Sequence, residues 1–289
     1  MNLISILLAL AVELFYKPVS DLRRFDWFDR YHETLYHKLD GQPLRDGPVG
    51  VILLVGLVAL AVWIVLAALG ALTGLLAFLF GLAVLIFTLG PRHLDDDAQQ
   101  VLDALERGDT EAALLNARQL GDETEITAES KAELVQQVRD RILVEANTRI
   151  FGVLFWFLIL GPIGAVLFRL SCQVRQQASV TDEYRNATRD LYRILAWIPA
   201  RLTVLCYALA GNFVNTLSRW QSPRDLWEEE SDAFLIASGN GAIQGEYTES
   251  DEETEINTAP AQNALALVKR ALVVWVVLLA LLTLMGLTF

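Results

Sequence analysis

The sequence predicts an all-α fold: a polytopic integral membrane protein with about four transmembrane helices, a helical cytoplasmic loop and additional amphipathic membrane-associated helices. Three observations carry this. Hydrophobic residues make up 54% of the 289-residue chain. No charged residue occurs between Asp46 and Arg92, whereas one helix needs only about 20 apolar residues to cross the roughly 30 Å hydrocarbon core. Two more long apolar runs follow, 150–168 between Arg149 and Arg169, and 271–289 after Lys269 and Arg270.

Residues 1–48 begin with an apolar stretch closed by Glu13 and Lys17. It lacks the basic start and small-residue cleavage site of a signal peptide. It is also short for a span, so an interfacial or re-entrant helix is expected there, followed by a polar segment. Residues 49–90 are long enough for two spans, and the glycines around Gly70 and Gly74 predict a tight hairpin between them. Segment 91–149 reads as a helical cytoplasmic loop. Asp95–Asp97 suit a helix N-terminus, where carboxylates oppose the dipole. Gly108 ends that helix and Asp109 caps the next. A capping pattern at Thr127–Ser130 opens a helix over 129–149, which is expected to run into the third span as a stalk. Residues 150–217 form the membrane core, with 150–168 either crossing or dipping in and returning at Gly161–Gly164. A polar helix is expected over 170–193 and a membrane-associated helix over 194–217. Residues 218–268 form an acidic loop with one helix over 225–237 and an aperiodic, flexible stretch over 238–262. Residues 269–289 form the last span.

Lys and Arg are enriched on cytoplasmic sides. Residues 1–48 and 91–149 carry six and seven of them, which places both segments in the cytoplasm. Of the net charge of −12, residues 218–262 supply −9. Acidity is thus local, and a nucleic-acid partner is excluded. Cys172 and Cys206 show no pairing or metal-binding pattern and read as small hydrophobes.

No phosphate-binding glycine loop, dinucleotide fingerprint or nucleophile elbow occurs. His32, His37 and His93 lack zinc spacing, and consecutive carboxylates at 95–97 diverge on a helix, so no metal or cofactor is expected. What stands out is charge at membrane depth, which is costly and often functional. Glu145, Asn147 and Arg149 sit where the stalk meets the apolar run, and Arg169 lies at its other end, although Arg149 and Arg169 could also snorkel to headgroups. Pro199 fits a helix start. At 100° per residue, Arg201, Ala208, Asn212, Asn215 and Arg219 share one stripe. Arg201 is the best anion-binding candidate, with Glu145, Asn147, Arg149, Arg169 and Asn212 lining or orienting a pocket under the stripe.

The segment "WIPARLTVLCYAL" resembles the Pro-Ala-Arg-Leu-Thr element of the CobD/CbiB family of membrane proteins. "VLFWFLILGPIGAVLFRL" resembles that family's Phe-Trp run and Gly-rich turn, and "GDTEAALLNARQLGDET" followed by "VEAN" resembles its helical loop. The likeness covers most of residues 91–217. The enzyme branch, which attaches the aminopropanol linker during cobalamin synthesis, has His-Pro-Val near its start, Gly-Arg-Asp-Thr in the loop and Asn-Thr-Leu-Asp after the Tyr-Arg that closes the Gly-rich turn segment. Here those places read "KPVSDLRRFDWFDRYHETL", Leu120-Gly121-Asp122-Glu123-Thr124 and Leu170-Ser171-Cys172-Gln173. The pattern instead resembles the AmpE branch. That resemblance implies a regulatory protein of the bacterial inner membrane, linked to β-lactamase induction and the response to cell-wall antibiotics, acting beside an AmpD-type amidase. Keeping Arg201 and the stalk's polar residues without the enzyme branch's other motifs suits a non-catalytic accessory protein that senses a muropeptide-like or other anionic small ligand. An amide-forming enzyme of the cobalamin type and a transporter component are the competing readings.

Overall fold

The computed structural model describes residues 2–15, 26–38, 47–89, 94–121, 128, 130–176, 181–218, 230–244 and 257–285. Among these the regular structure is entirely helical. Four helices are long and apolar enough to cross a membrane: Pro48–Leu72, Lys131–Leu160, Asp182–Ala210 and Ala259–Leu281. The chain forms two compact units. One is built from residues 1–91, 148–196 and 282–289, the other from 92–147 and 197–281.

In the first unit, α1 (Asn2–Phe15) buries Ile6 and Ala9 and packs on α4 and α8. α2 (Asp26–Lys38) is amphipathic. Its Phe28 is fully buried with Val51, Leu54, Val55, Val166, Leu170 and Tyr184, so this short polar helix is held by one apolar side. α3 (Pro48–Leu72) starts on a proline at its first position, where the missing N–H costs nothing. The expected hairpin closes through a single extended residue, Thr73, whose hydroxyl accepts from Leu76 N at 3.2 Å. Its return arm α4 (Gly74–Thr88) has only 15 residues. At 1.5 Å per residue that is about 22 Å, short of the hydrocarbon thickness. This arm is therefore not among the four helices long enough by themselves to cross a membrane.

The apolar run over 150–168 does not form one helix either. A π-helical segment, Asn147–Phe151, joins α7 to α8 (Gly152–Leu160). At Gly161 the backbone takes φ +64, a left-handed conformation that favours glycine. α9 (Pro162–Gln176) then folds back along α8. The chain thus reverses at Gly161, the backbone course that the dip-and-return alternative expects. A Cβ on Gly164 would collide with the Trp156 carbonyl oxygen, so the return depends on the missing side chain. Of the polar helix expected over 170–193, residues 170–176 end α9 and 182–193 begin α10 (Asp182–Ala210), while 177–180 lie outside the described residues.

In the second unit, α5 (Leu94–Glu106) begins with Asp95, Asp96 and Asp97 in its first turn and ends at Gly108, φ +76. Asp109 caps α6 (Thr110–Gln119), accepting from Ala112 N at 3.0 Å. Ser130 caps α7 (Lys131–Ala146), accepting from Glu133 N at 3.2 Å. These three local readings hold. The free stalk does not: α7 buries Leu134, Val135, Val138, Ile142 and Leu143 against α5, α6 and α12. α11 (Phe213–Ser218) follows a break at Gly211–Asn212. α12 (Ser231–Ile243) runs through the start of the stretch expected to be an aperiodic loop. Its glycines are contact points, since a Cβ on Gly241 would lie 2.8 Å from Asn215 O and one on Gly239 would lie 2.7 Å from the Leu143 side chain. The rest of the acidic loop, 219–229 and 245–256, lies outside the described residues. α13 (Ala259–Leu284) starts well before Lys269, which pairs with Asp95 at 2.7 Å from inside the helix.

Glycine at 164 is predicted to be required by contact and glycine at 56 is not, because a Cβ at Gly56 meets nothing within 4 Å. Gly164→Ala should lower stability by about 1–3 kcal/mol, whereas Gly56→Ala should be neutral or stabilising by up to about 1 kcal/mol. Thermal unfolding of the two variants in detergent measures both.

Candidate functional site

Arg201 lies on α10, half-buried, with its guanidinium held from several directions. Its Nη1 donates to Ser231 Oγ at 3.0 Å and to Trp197 O, one helical turn back, at 3.3 Å. Its Cζ lies 4.9 Å from the ring centroids of both Trp197 and Phe234, within cation–π range. Ser231 and Phe234 share one face of α12 because they are three residues apart. The first turn of α12 thus fixes the orientation of the arginine, while part of the side chain stays open to the surroundings.

Thr203 projects from α10 about 200° around the axis from Arg201. Its hydroxyl donates to Asn147 Oδ1 at 3.1 Å, and both residues are almost wholly buried. Asn147 Nδ2 is buried with no partner. Exchanging the amide O and N leaves an unmatched atom in either orientation, because the single hydroxyl meets only one of them. One turn further on, Tyr207 OH donates to Leu143 O at 2.9 Å. The N–H of Asn147 turns to Val144 O rather than to Leu143 O as the helix enters its π-helical segment. Such single π-turns recur at functional sites.

Glu145 is also buried, at 6% exposure. With Arg141, one turn away, it packs where Gly121 has no side chain: a Cβ there would lie 2.6 Å from Arg141 Nη1 and 3.2 Å from Glu145 Oε1. Asn212 has a local role, as its Oδ1 accepts from Asn215 N at 3.0 Å and its backbone N–H donates to Ala242 O at 2.8 Å. It caps α11 and ties it to α12. The stripe expected along one helix is therefore interrupted at Gly211–Asn212, and Arg219 lies outside the described residues. Arg149 and Arg169 belong to the other unit. They are 5% and 4% exposed, so both are enclosed by protein rather than snorkelling to headgroups. Of the six residues singled out from sequence, four lie in one unit and two in the other.

Three features were missed. Pro199 is inside α10 rather than at its start. It has no N–H for the carbonyl four residues back, Leu195 O, and that oxygen accepts from the Trp156 indole at 2.9 Å. The position of Pro199 marks Leu195 O as the orphan, but nothing local names Trp156. Ser231 was likewise hidden in the acidic loop. Finally, His32 Nε2 lies 2.8 Å from Tyr184 OH and its ring stacks on Tyr36 at 5.7 Å. Burial holds the His32 pKa below its usual value, against the raising influence of Asp29 and Glu33.

Together these observations define a multi-pass α-helical membrane protein with buried polar side chains at its helix irregularities. A model of the family described as regulatory signalling modulator protein AmpE matches residues 1–288. The chain belongs to the AmpE family. It is also similar to a cobalamin biosynthesis protein CobD of Chromobacterium violaceum, 29% identical over 203 residues, covering 68% of this chain and 62% of that protein. A second CobD, of Stutzerimonas stutzeri, is 28% identical over 178 residues, covering 58% and 56%. The chain thus spans about three-fifths of the length of these relatives. No solved structure matches significantly.

The Asn147–Thr203 pair tests the cost of the unmatched amide. Thr203→Val should lower stability by about 1–3 kcal/mol, since it strands both atoms of Asn147. Adding Asn147→Leu should recover much of that loss, because two apolar groups leave nothing unsatisfied. Denaturation midpoints of the single and double variants report this.

Proposed function

We propose that the protein is an inner-membrane regulatory or accessory protein of the AmpE type. It modulates β-lactamase induction and the response to cell-wall antibiotics by binding a small anionic or muropeptide-like ligand, with a functional link to an AmpD-type amidase. The observation that carries this reading is Arg201: a half-buried arginine whose guanidinium is oriented by Ser231 and framed by Trp197 and Phe234. A cation whose geometry is set in advance loses little entropy on meeting an anion. Glu145 and Asn212, in the same unit as Arg201, would set the shape and potential around the ligand.

A second reading, an amide-forming enzyme, is favoured by the names of the two CobD relatives. The departures from that branch at Leu120–Thr124 and Leu170–Gln173 weigh against it, because they remove an arginine and an acid from polar motifs. ATP-dependent amide formation by the purified protein would establish it.

The test is β-lactamase induction by a β-lactam in cells carrying Arg201→Ala, with membrane abundance measured alongside. Induction should change by roughly tenfold, the effect of losing about 1.4 kcal/mol of ligand binding. Ser231→Ala, which keeps the cation, should change it far less. Unchanged induction by Arg201→Ala at normal abundance would overturn the ligand role of Arg201.

A further inference from the structure

The first unit contains a cavity of about 360 Å³ that the sequence does not foreshadow. Its wall comes from Val58 and Val62 on α3, Val84 and Phe87 on α4 and Val166 on α9, with Trp27 of α2 beside it. Helix length explains why it exists. α3 has 25 residues and α4 has 15, so α4 ends about 15 Å before the start of its antiparallel neighbour. The notch beside the last turn of α4 is only partly filled by α2 and α9.

Apart from Thr88 and Arg169 the lining is apolar, and Arg169, 4% exposed, is engaged with other groups of the protein. Thr88 borders the cavity, but its hydroxyl already donates within its own helix, at 3.0 Å to Val84 O and 3.0 Å to Leu85 O. A water molecule needs two to four polar partners, and apolar cavities stay dry or take up hydrocarbon. Exposed apolar side chains lie beside the cavity on the same helices. One turn from its wall, Val65 on α3 is 42% exposed and Leu79 on α4 is 49% exposed, on helices of a multi-pass membrane protein. Trp27, 39% exposed, stands at the rim on amphipathic α2, and tryptophan is the side chain most at home at the level of lipid headgroups.

We propose that this cavity is a binding site for one acyl chain of a single bilayer phospholipid, with the headgroup at the level of Trp27. Moving a chain from bilayer to cavity gains no hydrophobic free energy, because lipid tails are as apolar as the wall. The gain is dispersion contact along walls that would otherwise face a void. Retention should therefore depend on the shape of the cavity and be abolished by filling it.

The test is native mass spectrometry of the full chain released from mild detergent, with lipid extraction to identify what is bound. The wild type should retain one phospholipid per chain. Val84→Trp, which puts an indole into the cavity, should lower that occupancy by roughly tenfold or more. Leu75→Trp, at a position that is 67% exposed on the same helix, should keep it. A monodisperse size-exclusion profile establishes that each variant is folded. Three results would overturn the proposal: no lipid on the wild type, as when a segment of the chain or a second copy fills the cavity; a retained molecule that is not a phospholipid; or equal retention by folded Val84→Trp.

Discussion

Helix breaks inside apolar surroundings release backbone carbonyls that have no water to turn to, and this constraint organises the structure. In lipid each such group costs several kcal/mol if left unmet. Pro199 frees Leu195 O, and the indole of Trp156 meets it. Near the π-helical segment Leu143 O is met by Tyr207. At the α3–α4 turn the Thr73 hydroxyl receives Leu76 N instead. These three interruptions are each tied to a specific donor or acceptor, and two of the ties join helices far apart in sequence.

The same logic links the fold to the proposed function. Irregular helix geometry places polar atoms where a regular helix would hide them. Asn147 sits at the start of the π-helical segment and keeps an unmatched amide atom. Arg201 follows the proline by two residues and is steered by the first turn of α12.

Much of this was legible in the sequence where the physics is local. The uncharged run after Asp46 specifies apolar helices by transfer energy alone. Asp109 and Ser130 cap their helices through side chains three residues from their targets, and Gly108 stops α5 by its own backbone freedom. Arg201 was conspicuous because a cation in an apolar run is expensive. What stayed hidden depends on distant partners. Pro199 suits a helix start as well as an interior, and the choice rests on Trp156, 39 residues away. Gly239 and Gly241 carry the composition of a loop, yet they are helical because α7 and α11 press against them. Asn212 fits a helical stripe by spacing, but the chain breaks there and uses its side chain as a cap.

A double-mutant cycle between Trp156→Phe and Pro199→Ala tests the central constraint most directly. With Pro199 in place, losing the indole N–H strands Leu195 O and should cost about 1–3 kcal/mol of stability. With alanine at 199 the helix supplies its own N–H to that carbonyl, so the same loss should cost less by at least about 0.5 kcal/mol, the smallest coupling such a cycle resolves. Equal cost of Trp156→Phe in both backgrounds would contradict the account, since the indole would then be stabilising α10 by packing alone.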